Sequence, residues 1–166
     1  MTGTQQQRTL EALFEAAIRI EELAGIMYRD LAERFARHPH SVALWRSLAA
    51  DEDMHARVLA RVLAAAPPEK RTSPAPVETW ATVAEVLQRM EQDPVGSIKS
   101  LQDAYELAHE FEHSEVNAIF EFLSTDLLPG AIEAEFVRTH IAQHQQKLAD
   151  FRETYRGEDW RQVLAH

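Results

Sequence analysis

The sequence predicts an all-α protein, a four-helix bundle with one long connection between its second and third helices. Three observations carry this reading. The 166 residues are 45% hydrophobic yet include only five glycines, and strand-like alternation is hard to find. Four long segments place apolar residues three and four apart, the period of a helix that buries one face. About 30 residues separate the second of these segments from the third, which is long for a helical hairpin and fits a crossover from one end of a bundle to the other.

The elements follow in order. Residues 1–8 are polar and lie outside the pattern. Leu10, Phe14, Ala17, Glu21, Ala24, Tyr28 and Leu31 keep helical spacing and define the inward face of helix one. His38-Pro39-His40-Ser41 breaks that helix, and Ser41 is suited to cap the next, expected over about residues 42–65. Its inward positions are Trp45, Leu48, Ala49, Glu52, His55, Leu59 and Val62, and Pro67-Pro68 ends it. Residues 67–78 are rich in Pro, Ser, Thr and charge and form a linker. Trp80, Val83, Val86, Leu87 and Met90 then predict a short extra helix over about residues 79–90, stopped by Asp93-Pro94-Val95-Gly96.

Helix three is expected as one element over about residues 97–124, with Leu101, Tyr105, Ala108, Glu112, Glu115, Ile119 and Phe122 inward. A turn follows at residues 126–130. Helix four is expected over about residues 131–155, with Phe136, Val137, His140, Ile141, His144, Leu148 and Phe151 inward, and Gly157 stops it. The tail to His166 fits one more short turn around Trp160 and Val163. The whole is expected as a single domain over residues 1–166, with the bundle core at about 9–155 and the connection at about 67–96.

Composition narrows the function. The formal net charge of −10 disfavours nucleic acid and anionic lipid as partners. No 18-residue apolar stretch and no basic signal region is present, so a cytoplasmic protein is expected. Cysteine is absent, which excludes disulfides, iron–sulfur clusters, zinc ribbons and thiol catalysis. Any bound metal must use oxygen and imidazole nitrogen, a set that suits iron, manganese or zinc.

Charged groups on the apolar stripes are the informative feature. Helix one carries Glu21 between Ala17 and Ala24. Helix two carries Glu52 and His55 at i and i+3, on one face. Helix three carries Glu112 and Glu115, and helix four carries His144 with His140 one turn before it. Burying lone carboxylates costs several kcal/mol, on the order of a whole domain's margin, unless something offsets it. Lysine and arginine are scarce on the four stripes, so a metal ion is the favoured counter-charge. Glu106 and Glu110 fall off the stripe and fit an acidic outer face. His109 and His113 flank Glu112 as outer or surface groups. The His140–His144 pair fits a ligand pair and a solvated pair alike; we read His144 as a ligand and leave His140 open.

With Glu21, Glu52-x-x-His55, Glu112, Glu115 and His144 in place, the chain resembles the ferritin-like superfamily, in particular rubrerythrin-type domains, over about residues 9–155. That resemblance implies a carboxylate-bridged pair of iron ions in the bundle core. It implies Glu21 as a terminal ligand, Glu52 as a bridging ligand and His55 as the imidazole of the same metal. Glu112 and Glu115 are implied as the carboxylates of the second half and His144 as its imidazole, with Tyr28 near the metals. Two departures stand out. Ile141 occupies the position three residues before His144 where the family has a glutamate. The cysteine-ligated rubredoxin module is missing, so a reductant would come from a separate electron donor.

Three functions are therefore expected in competition. The first is a non-haem di-metal oxidoreductase with two iron ions per chain, acting on peroxide or dioxygen or oxidising and storing iron. The second is a metal-binding bundle with one ion, iron, zinc or manganese, in the first position. The third is a non-enzymatic helical interaction protein. The resemblance also implies a homo-oligomer.

Overall fold

The first helix begins where a cap allows it. Thr9 is in extended conformation and its hydroxyl accepts the Ala12 N–H at 3.2 Å, and α1 then runs over Leu10–Arg34. In the computed structural model, which describes residues 8–125 and 131–154, seven helices and no strand are found among the described residues. Side chains at 115, 116, 118, 124, 125, 131–134, 136 and 137 lie outside that description, as do the predicted turn at 126–130 and the tail beyond 154. The all-α bundle expected from the sequence is the architecture found.

Helix α2 spans Pro39–Ala65. It starts earlier than expected, and Ser41 is not its cap. Proline's fixed φ suits the first helical position, so Pro39 opens the helix and His38 precedes it. The Ser41 hydroxyl donates instead to the His38 carbonyl at 2.8 Å. Helices α1 and α2 pack along each other, and the stripe predicted for each is the buried one: Phe14, Tyr28, Leu31, Trp45, Leu48 and Leu59 are all fully buried. Each such side chain contributes roughly 1.5–3 kcal/mol.

The connection contains a single helical turn, α3 at Pro68–Arg71, and then α4 at Val77–Met90. Helix α4 turns Val83, Val86 and Met90 inward and packs on α1. A backbone bridge ties Thr9 to Pro74, with Leu10 N–H donating to the Ser73 carbonyl at 2.8 Å. At the break after α4, Asp93 takes a left-handed φ of 51°, which Asp tolerates better than most residues. The Arg34 guanidinium donates to the Ile98 carbonyl at 2.7 Å and pins the end of α1 to the chain entering α5.

The third helix departs from expectation. It is two helices, α5 at Leu101–Glu112 and α6 at Glu115–Thr125, separated at His113 and Ser114. Helix α5 starts at a capping box, in which Ser100 accepts the Asp103 N–H at 3.1 Å and Asp103 accepts the Ser100 N–H at 3.0 Å. The break resets the helical phase. Ile119, Phe120 and Leu123 are buried, whereas Phe122, expected inward, is 38% exposed. Helix α7 spans Ala131–Thr154 and packs on α5, α6 and α2, burying His144, Leu148 and Phe151. The expected inward positions Phe136 and Val137 lie among the side chains not described.

Candidate metal centre

Four helices bring acid and imidazole groups to one point in the core. Glu21 on α1, Glu52 and His55 on α2, Glu112 at the end of α5 and His144 on α7 are each at most 3% exposed. Two donor groups result. Glu21, Glu52 and His55 form one, and Glu52, Glu112 and His144 form the other, with candidate ligand atoms within 4.8 Å of one another in each. Glu52 belongs to both.

The imidazoles aim one edge at the carboxylates. His55 Nδ1 is 2.9 Å from Glu52 Oε2 and 3.5 Å from Glu21 Oε2. His144 Nδ1 is 3.1 Å from Glu112 Oε2 and 3.7 Å from Glu52 Oε1. The Tyr28 hydroxyl donates to Glu112 Oε1 at 2.6 Å, which fixes the second carboxylate from α1. Asn117 Nδ2 adds a donor to Glu112 Oε2 at 3.3 Å. Tyr28 is itself held between Trp45, stacked at a ring separation of 6.1 Å, and the edge of Phe111 at 6.4 Å.

Burial and mutual charge strain the acids. Burial, with the Glu21 and Glu112 charges beside it, holds the Glu52 carboxyl well above its ordinary range. Burial pushes Glu112 the same way, but the hydrogen bond and charge of His144 with the Tyr28 and Asn117 donors outweigh it and leave Glu112 below its ordinary value. Burial and the Glu112 and Glu52 charges keep the Tyr28 phenol protonated far beyond its usual range. Among the described residues, no lysine or arginine makes an ion pair with Glu21, Glu52 or Glu112. The donor set of three buried carboxylates and two imidazoles, with Glu52 common to two groups, could hold metal of the iron, manganese or zinc type.

The other predicted residues fall into place unequally. Glu115 opens α6, and its side chain lies outside the described residues. Its expected register with Glu112 assumed an unbroken helix, which the His113–Ser114 break removes. His140 lies against His55, at a ring separation of 5.3 Å, and 3.8 Å from Asp51. Ile141 is partly buried and packs on the core. His109 and His113 stack on each other at 4.0 Å on the surface.

Asp51 was not singled out in the sequence. It adjoins Glu52, about 100° around the helix and so nominally off the stripe. Yet Asp51 Oδ2 lies 3.0 Å from His144 Nε2, and Lys147 pairs with the same oxygen. Burial raises the Asp51 carboxyl, but His144 and Lys147 pull it down to about 2. Burial lowers His144, and Asp51 and Glu112 raise it to about 9. The signal that could have found Asp51 is the i, i+4, i+7 row of His140, His144 and Lys147 on α7, which needs an acid facing it.

A helical bundle whose core is lined by carboxylates and imidazoles from separate helices defines a class, the bundles able to hold metal between facing helices. Residues 12–126 match the family model described as Rubrerythrin. The chain belongs to the rubrerythrin family. The match includes Glu21, Tyr28, Glu52, His55, Glu112 and Glu115 and ends before α7, so His140, Ile141 and His144 lie beyond it. No curated protein and no solved structure matches the chain. No described helix is long and apolar enough to cross a membrane.

Proposed function

We propose that the protein is a non-haem di-iron oxidoreductase that acts on peroxide or dioxygen, with oxidation and storage of iron as the nearest variant. The observation that carries this reading is the position of Glu52, shared by two donor groups that each add an imidazole. Glu21, Glu52 and His55 would hold one ion, and Glu52, Glu112 and His144 the other, with Glu115 as the further carboxylate the family implies. Iron in such a setting supplies one-electron redox chemistry and Lewis acidity at an oxygen substrate.

The chain's own groups have defined tasks. Three carboxylates balance most of the charge of two divalent ions, so the core gains a partner for groups that are otherwise costly to bury. Asp51 lies 3.0 Å from the far nitrogen of His144 and would favour a proton there, leaving Nδ1 to the centre. Tyr28 keeps its proton and holds Glu112 Oε1, leaving Oε2 directed at the imidazole and the centre. Apolar rings flank the donor groups, Phe120 against His55 and Phe111 against Tyr28. Reducing equivalents would come from a separate donor protein, and we propose a homo-oligomer in the cytoplasm.

The test is anaerobic loading with ferrous iron, metal counting and an assay of peroxide consumption. Two irons per chain with peroxide-dependent oxidation are expected. Fewer than one iron per chain would overturn the reading. One specific observation favours a single-metal variant: Ile141 stands where the second group needs its own carboxylate. One ion per chain, retained by Glu112→Gln and lost by Glu21→Gln, would select that variant.

A further inference from the structure

His55 and His144 each have a second edge that the carboxylate centre does not use. His55 is 2% exposed, and its Nε2 is buried with no hydrogen-bond partner. His144 Nε2 and His140 Nε2 both face Asp51, at 3.0 and 3.8 Å. The His140 ring stands nearly perpendicular to both neighbours, 5.3 Å from His55 and 5.5 Å from His144. His55, His140 and His144 can each offer a ring nitrogen within 4.8 Å of the others.

We propose that His55, His140, His144 and Asp51 form a second, nitrogen-rich site for a divalent ion of the zinc class, and that filling it excludes metal from the carboxylate centre. Three imidazoles and one carboxylate are a complete tetrahedral set. Ligand atoms around an ion held at about 2.0–2.1 Å lie roughly 3.4 Å apart, so rotation of rings that start within 4.8 Å can close the site. Asp51 supplies the negative charge. Its present cation, Lys147, is 31% exposed and can swing into solvent as the ion enters.

Exclusion follows from the imidazole itself. A neutral ring has one lone pair for a ligand and carries a proton on its other nitrogen. An Nε2 bond from His55 and His144 therefore withdraws both from the carboxylate side, where Nδ1 is required. The chain would then choose between an oxygen-rich pair of ions and a single nitrogen-held ion. Zinc, which favours four-coordinate imidazole sites and has no redox chemistry, would act as an antagonist of iron loading. Helix α7 makes the choice possible. His140 and Ile141 stand four and three residues before His144, as Asp51 and Glu52 stand before His55, so the second half presents imidazole and apolar groups where the first presents two acids.

The proposal is independent of the oxidoreductase reading, and two variants separate them. Cobalt(II) is titrated into the full-length metal-free protein and its visible spectrum followed. The unmutated chain and Glu21→Gln are expected to give the strong absorption of a four-coordinate ion. His140→Gln is expected to lose that absorption and bind at least tenfold more weakly while still taking up ferrous iron. Cobalt absorption that is absent from the unmutated chain, or unchanged in His140→Gln, would overturn the proposal. Loss in Glu21→Gln would do the same and assign cobalt to the carboxylate centre. Zinc X-ray absorption on the unmutated protein gives a variant-free answer: three imidazoles per zinc support the site, and two or fewer count against it.

Discussion

His144 Nε2 lies 3.0 Å from Asp51 Oδ2, on the side of the ring opposite Glu112. One imidazole thus spans two carboxylates from different helices, and it carries its charge up to a pH of about 9. In the metal-free core His144 lies between both carboxylates, and an ion at the carboxylate centre must displace the proton from Nδ1. Asp51→Asn should therefore lower the His144 pKa, read from ring resonances in the metal-free protein. Losing the carboxylate that orients a ligand imidazole typically costs about 10–100-fold in metal affinity. An unchanged ring pKa would mean that Asp51 serves the surface and not the centre.

The same pair sets the pH dependence of the metal-free fold. The folded pKa of His144 is raised above its ordinary 6.5, so its contribution is complete below 6.5 and is lost as pH rises through about 9. The shift corresponds to something on the order of 3 kcal/mol. Glu52 acts in the same direction, since the fold retains a proton that the unfolded chain has released. Denaturant unfolding of the metal-free protein should give a lower stability at pH 9.5 than at pH 6. A flat or rising profile would contradict the His144 assignment.

Acid clusters held for a metal cost stability when the metal is absent. Glu52→Gln should raise the melting temperature of the metal-free protein by several degrees, at about 2–4 °C per kcal/mol for a chain of this size. It should also abolish the stabilisation that metal gives the unmutated protein. Calorimetry with and without chelator separates the two effects. If the variant melts lower without metal, Glu52 is a structural hydrogen-bonding group and not a reserved ligand.

Most of this arrangement was legible in the sequence, because one period decides both the fold and the facing of polar groups. Glu21, Glu52, His55, Glu112 and His144 each interrupt an apolar stripe, and all five are buried together. What was not legible has local causes. Nothing in His113-Ser114 is a strong breaker, so the split of the third helix was hidden and Phe122 was assigned to the wrong face. Pro39 decided the start of α2 over the better side-chain cap two residues later. Asp51 was not singled out because its partners sit on α7, about 90 residues further on, where no helical period connects them.

Tyr28 tests whether the second carboxylate is preset. Its hydroxyl is fully buried and donates to Glu112 at 2.6 Å. A hydrogen bond to a charged group contributes about 1.5–3 kcal/mol, and Tyr28→Phe keeps the stacking on Trp45 while removing only that bond. Urea unfolding should shift by that amount. Glu112 would then lose one of its charge-stabilising donors, so its carboxyl should titrate higher than in the unmutated chain. A variant as stable as the parent would show that the bond is offset by the cost of burying the phenol.

Ile141 is the sharpest test of the second metal position. It lies three residues before His144, the same offset that separates Glu52 from His55, and it is partly buried against the core. Ile141→Glu would add a carboxylate beside the group of Glu52, Glu112 and His144 and restore the symmetry of the two halves. The metal-free variant should lose about 1–3 kcal/mol, from lost packing and a further buried acid. Ferrous iron should restore that loss, and the count per chain should rise to two if the unmutated chain holds one. Metal analysis after gel filtration reads the outcome. If neither stoichiometry nor affinity changes, α7 does not present position 141 to the centre.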